Sequence, residues 1–337
     1  MNVLICTEPG EFRYMEMEEP SAKPGHAIVK VNRIGVCGTD LHAFEGTQPF
    51  FTYPRVLGHE LSGVVASVET GSGVKSGDHV CLIPYFHCGK CAACKKGLTN
   101  CCQSIRVFGV HIDGGMKPYI SVPIENLIVE PELDFDTLAL VEPLAIGAHA
   151  VRRSGLQKGE FALVIGAGPI GIGVMEFARR VGARVIAADV NEDRLNYCRK
   201  EIGVEFTVNP TRQDMNAYLD EITETAMPDV VFDASGNRKA INGAFPYMGH
   251  GGRFVLVGLQ KEEIIFSHPE FHKREATLMS SRNATREDFE EVLRFLKEKK
   301  FRTNAYITHR AKFEEVGTCF GDWLNPANGV IKAMIEL

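Results

Sequence analysis

Four cysteines, Cys88, Cys91, Cys94 and Cys102, stand as C-x2-C-x2-C-x7-C in a loop that also holds Gly and Lys. Four thiolates so spaced can close a tetrahedron around Zn²⁺. A closed site leaves no open position for chemistry, so its expected work is to fix a lobe with little core of its own, such as one that makes an oligomer contact. Cys101 is an alternative fourth ligand, and free surface thiols or a disulfide pair are the ordinary alternative to a metal. A second set is dispersed: Cys37 in GVCGTDLH, His59 and Glu60 in YPRVLGHE, and Glu142 in LVEPLAIGAHAV. Cysteine, histidine and carboxylate together suit a zinc ion that keeps one position for water or substrate. On the residues alone, a buried structural Cys37 and a satisfied surface His59 are the better reading.

A third motif, Gly166-Ala167-Gly168-Pro169-Ile170-Gly171, follows an apolar strand run and opens a helix. Backbone amides at the positive helix end can then face a pyrophosphate. Asp189 ends the next strand, 18 residues after Gly171, where its carboxylate can accept from the adenosine ribose hydroxyls and would repel a 2′-phosphate. NAD(H) is therefore expected over NADP(H). Arg194 could lie against the adenine or simply face solvent. The plain alternative makes these glycines tight-packing residues and Asp189 a solvated strand end.

These groups sit in two kinds of sequence. Residues 1 to about 130 are broken by Gly and Pro between β-branched runs such as HAIVKVNRIGV (26–36) and LSGVVASVE (61–69), the pattern of a β-rich, loop-rich unit. The pattern turns helical near 136–153, after which strand runs alternate with helical stretches, implying a parallel sheet. Strands are predicted at 162–166, 184–189, 205–209, 229–234, 253–258 and 277–281, which matches a doubly wound nucleotide fold. Thr285 and Asp288 can form a capping box before FEEVLRFLKEKK, and VIKAMIEL returns to strand-like sequence at the end.

The length of 337 residues exceeds the roughly 250–300 at which one core stops growing, so two compact units are expected. Hydrophobic residues at 45% and charged residues at 24% exclude disorder and fibrous repeats. With a formal charge of -6 and no long basic run, no nucleic-acid partner is expected. The N-terminus lacks a signal-peptide pattern. The most apolar window, 161–178, holds four glycines, a proline and Glu176, so no membrane span is expected either. A reducing cytoplasm is the expected location, and thiols there point to metal or catalysis.

Taken together, CGTDLH at 37–42, GHE at 58–60, the four-cysteine lobe, Glu142-Pro143 and Gly166–Gly171 resemble the zinc-dependent medium-chain alcohol dehydrogenase family in order and interval. The chain looks most like its polyol and sugar-acid branch, which includes sorbitol, threonine and L-galactonate dehydrogenases. The stretches QPFFTYPRVLGHE, GLTNCCQ, FGVHIDGG, EPLAIGAHAVRR, PEFHKRE and SRNATREDF lean toward its hexonate-oxidising members.

The resemblance implies an α/β chain: a GroES-like β-rich catalytic domain at 1–145 with a structural-zinc lobe at 86–104, a Rossmann domain at 146–281, and a segment at 282–337 that completes the catalytic domain. It implies Cys37 and His59 as ligands of a catalytic zinc, with Glu60 and Glu142 as a ligand or neighbouring pair. It also selects Cys102 over Cys101. Thr39 and His42 are then a proton relay to solvent, although Thr39 could instead cap a helix and His42 could be merely solvated. His111, Arg282 and Asn283 are candidate substrate contacts, or structural residues. The implied activity is oxidation of a secondary alcohol of a sugar acid or polyol, an L-galactonate-like hexonate favoured, with NAD and two zinc ions per chain. L-threonine or a neutral polyol is the alternative substrate, and a non-catalytic nucleotide-binding relative is the remaining alternative. Relatives imply a homotetramer or homodimer.

Overall fold

A computed structural model describes residues 1–48 and 51–337; Pro49 and Phe50, inside the QPFFTYPRVLGHE stretch, lie outside the described residues. Strands β1 (Asn2–Glu8), β2 (Glu11–Glu16), β3 (His26–Val36), β4 (Glu60–Val68), β5 (His79–Leu82), β6 (Tyr85–Phe86), β7 (Arg106–Val107), β8 (Tyr119–Pro123) and β9 (Leu127–Val129) come first. Next are β10 (Phe161–Ile165), β11 (Arg184–Ala188), β12 (Phe206–Val208), β13 (Val230–Asp233), β14 (Arg253–Leu256) and β15 (Thr277–Ser280), alternating with helices. The chain closes with β16 (Ile307–Lys312) and β17 (Lys332–Glu336). The chain divides into one unit of Met1–Glu142 with Thr285–Leu337, and a second of Pro143–Ala284.

In the first unit a mixed sheet runs β16-β17-β3-β4-β5-β9, with β8 also pairing β3. The β-branched run at 26–36 becomes its long central strand, because apolar side chains on both faces are covered. Val31, Ile34, Leu61, Val65 and Ile335 share the core beneath it. The register sets Gly35 opposite Glu60, so the end of β3 and the start of β4 lie side by side. Beyond β3 the chain turns at once into the helix Gly38–Glu45.

The second unit is a six-stranded sheet in the order β12-β11-β10-β13-β14-β15, parallel throughout. Each strand lies where its apolar run predicts: β10 has the expected length but begins one residue earlier, and β11 to β15 are shorter by one or two residues where the chain leaves the ladder. Strand order reverses at β10, whose neighbours are β11 and β13, and in open α/β sheets ligands bind outside the carboxyl ends of the strands at such a point. Leu163, Ile186, Val231 and Phe254 form its core. The helix Arg286–Lys297 begins as expected, with the Thr285 N–H donating to Asp288 Oδ2 at 2.8 Å. No described helix is long and apolar enough to cross a membrane.

Candidate metal centres and cofactor site

Cys37 is the N-cap of the helix Gly38–Glu45, and its N–H donates to Asp40 Oδ2 at 2.9 Å. The other Asp40 oxygen accepts from Gly58 N at 3.1 Å and lies 3.6 Å from His59 Nδ1. One carboxylate, 1% exposed, therefore pins the segments that carry both Cys37 and His59. Asp40 was not singled out in the sequence, although its place three residues after a helix start is the capping-box position.

One ligand atom each from Cys37, His59 and Glu60 lies within 4.8 Å of the others. Glu142 is not in that set; it sits in the first turn of the helix Val141–Ser154 and accepts a hydrogen bond from the buried Tyr85 hydroxyl. Glu60 is gripped by Lys332, and both are fully buried. Tyr85 and Lys332 are partners that sequence reading missed, because nothing local marks an apolar-flanked tyrosine or a strand lysine as buried against a distant glutamate.

The electrostatics fit a cation. Burial pushes Glu142 up to about 7, with Glu60 adding to the effect while His59 lowers it. Burial would lower His59, yet Asp40 and Cys37 hold its imidazole well above the usual range. Acidic groups thus outnumber basic ones in a buried pocket, a state that a divalent ion would relieve. A sulfur, a nitrogen and a carboxylate oxygen are also the donor set of zinc.

Thr39 is half-buried and lies inside the helix rather than capping it, since the cap is Cys37. His42, one turn on and on the same face, is exposed, with Nδ1 3.2 Å from Thr47 Oγ1 and 3.3 Å from Glu45 Oε2.

The lobe that follows β6 gathers Cys88, Cys91, Cys94 and Cys102 into a second set within 4.8 Å, whereas Cys101 is exposed and outside it. Between 88 and 102 the buried residues are Asn100 and Cys102 alone, so the lobe has almost no core. Backbone N–H groups point at the sulfurs instead, with Cys88 N donating to Cys102 Sγ at 3.3 Å. The Lys90 N–H, helped by Ser104 and the Cys91 N–H, brings the Cys88 thiol down to about 5, as a metal-binding thiolate needs.

In the second unit, Gly166 (φ 97°) turns the chain at the end of β10, and Gly168 is the N-cap of the helix Pro169–Val181 with Pro169 at its first position. Ile170 follows in that first turn. A Cβ on Gly171 would meet the Gly166 carbonyl at 1.8 Å, so this turn requires glycine. Asp189 accepts from Ala167 N at 2.7 Å and Asn191 N at 2.8 Å, which leaves lone pairs on each oxygen. The Arg194 guanidinium lies 3.9 Å from where a Gly168 Cβ would stand, beside the glycine turn.

Of the three candidate substrate contacts, His111 is in neither metal-ligating set. His111 Nδ1 accepts from Val107 N at 3.0 Å, Arg282 is exposed, and Asn283 takes a left-handed φ of 53°, which asparagine tolerates better than most residues.

Residues 23–132 match the alcohol dehydrogenase GroES-like domain, and 169–298 match the zinc-binding dehydrogenase family. The chain is 44% identical to L-galactonate-5-dehydrogenase of Escherichia coli (strain K12), covering 93% of this chain and 92% of that one. It is 32% identical to 2-dehydro-3-deoxy-L-galactonate 5-dehydrogenase of Pseudoalteromonas atlantica, over 96% and 95%. Among solved structures, an alcohol dehydrogenase from E. coli CFT073 complexed with NADH superposes with a TM-score of 0.92 at 28% identity, covering 100% of this chain and 99% of that one.

Proposed function

This chain belongs to the zinc-dependent medium-chain alcohol dehydrogenase family, and on that footing we propose that it transfers a hydride between a secondary alcohol of a sugar acid and NAD(H). The chemistry rests on one observation, the set formed by half-buried Cys37 with buried His59 and Glu60. The hexonate reading is supported by the names of the two galactonate-related relatives.

Cys37 Sγ and the His59 ring would hold the zinc with one carboxylate or water beside them. Bound there, zinc supplies Lewis acidity that lowers the pKa of a hydroxyl, much as it takes water from about 15.7 to about 7. Asp40 orients the two ligand segments through Cys37 N and Gly58 N. Thr39 would take the hydroxyl proton while passing its own on to the cofactor ribose, and the exposed His42 would receive it from there and hand it to solvent. The amides opening the helix at Gly168–Gly171 bind the cofactor pyrophosphate, Asp189 the adenosine ribose, and Arg194 the adenine face. NAD⁺, when bound, supplies the hydride acceptor. Arg282 offers a guanidinium that can grip a C1 carboxylate in two parallel hydrogen bonds, with His111 and Asn283 as further contacts. A homodimer or homotetramer and a cytoplasmic location belong to the same proposal.

A panel of hexonates, polyols and L-threonine assayed with NAD⁺ tests the substrate class. L-Galactonate should exceed galactitol in kcat/KM by about tenfold or more, the worth of one ion-assisted hydrogen bond. Equal values, or a preference for L-threonine, would remove the hexonate reading. For the cofactor, Asp189→Asn should narrow the preference for NADH over NADPH by about tenfold, because the charge that repels a 2′-phosphate is gone. Fluorescence titration giving an unchanged ratio would show that Asp189 does not select the cofactor.

A further inference from the structure

Lys332 opens β17 with its side chain 1% exposed, against a Glu60 carboxylate that is 0% exposed. Its ammonium has three N–H donors and three acceptors: Nζ lies 2.7 Å from each Glu60 oxygen and 3.0 Å from the Val36 carbonyl. The sheet explains this reach. Strands β17, β3 and β4 are adjacent, with Ala333 opposite Val36 and Gly35 opposite Glu60. Gly35 lies between lysine and glutamate, where a Cβ would stand 2.1 Å from Glu60 Oε2. The missing side chain at 35 is what lets the carboxylate cross to the lysine.

A buried ion pair is by itself weak evidence of anything beyond packing. This one differs because Glu60 is also within 4.8 Å of the Cys37 and His59 donor atoms. The same carboxylate is therefore contested by an ammonium and by a cation at those donors. We infer that Lys332 is a positioning residue that holds Glu60 off the metal, keeping a coordination position open for the hydroxyl and setting how readily the metal leaves. This rests on the reading of Cys37 and His59 as the metal seat. Lys332 also bonds the carbonyl of Val36, the residue before Cys37, so one ammonium ties down both ligand segments.

The test uses the zinc-loaded protein and follows zinc transfer to a chromophoric chelator, together with the visible spectrum of the Co²⁺-substituted protein. Lys332→Met frees Glu60 to bind, so zinc loss from this site should slow by about tenfold and the cobalt bands should shift. Lys332→Arg should restore the parental rate and spectrum. In a Glu60→Gln background the lysine change should have no effect, and Glu60→Gln alone should alter zinc loss by less than about threefold. The Glu60→Gln, Lys332→Met double variant removes both buried charges together, so its comparison with Glu60→Gln stays informative even where Lys332→Met alone does not fold. Zinc loss unchanged by Lys332→Met, an effect that persists without Glu60, or a tenfold or so faster loss in Glu60→Gln alone would each overturn the inference. A parent protein that binds zinc only at the four-cysteine lobe would instead remove the metal seat itself, a distinct outcome.

Discussion

Replacing Cys37 or His59 by alanine should abolish turnover while leaving NADH binding intact. Both side chains come from the first unit, and the glycine turn with Asp189 belongs to the second, so the cofactor determinants are untouched. The expected loss is about three orders of magnitude or more, because an unassisted hydroxyl near pKa 15.7 must then give up its proton without a Lewis acid. Metal analysis should show one zinc lost per chain, and chelation of the parent should cost activity in the same way. His59 carries a further signature: its removal leaves Asp40 with the Cys37 and Gly58 amides as partners, so the local backbone is kept. A variant at either position with near-parental turnover would end the zinc-assisted proposal.

Cys94→Ser is expected to release the other zinc and let the lobe open. From 88 to 102 the side chains bury little, and Leu98 is 50% exposed, so apolar packing contributes almost nothing to holding this loop. A structural zinc in a small cysteine module contributes about 10 kcal/mol or more of apparent binding free energy, far more than the few N–H to sulfur bonds left behind. Local opening should then approach the cost of a mobile loop, and trypsin should cut at the exposed Lys90, Lys95 and Lys96 at least about a hundredfold faster. NADH binding should persist, since the second unit is a separate core. An unchanged digestion pattern with zinc content intact would show that the four sulfurs do not hold the lobe through a metal.

Short-range patterns made most of the architecture readable before any coordinates. The run HAIVKVNRIGV is β3 residue for residue, because β-branched side chains declare a strand from within the segment itself. The glycine turn at Gly166–Gly171 was legible for a similar reason: left-handed backbone and close approach demand glycine locally. The four-cysteine spacing is likewise local, and the fold places Cys102 rather than Cys101 with its three partners.

The open metal set was legible through resemblance, not spacing, and its supporting residues were not legible at all. Cys37 and His59 meet because of the cross-strand register of β3 and β4, and a register is a relation between segments that neither one contains. Lys332 and Glu60 are 272 residues apart, and their contact depends on three strands being neighbours with a bare glycine between them. Tyr85 meets Glu142 for the same kind of reason, across 57 residues. Chain chemistry alone thus named the strands, the cofactor turn and the lobe, each determined over a few neighbouring residues. Which carboxylate is clamped, which is held by a phenol, and how the donors converge were decided by tertiary packing, because those interactions exist only once distant segments share a buried, low-dielectric space.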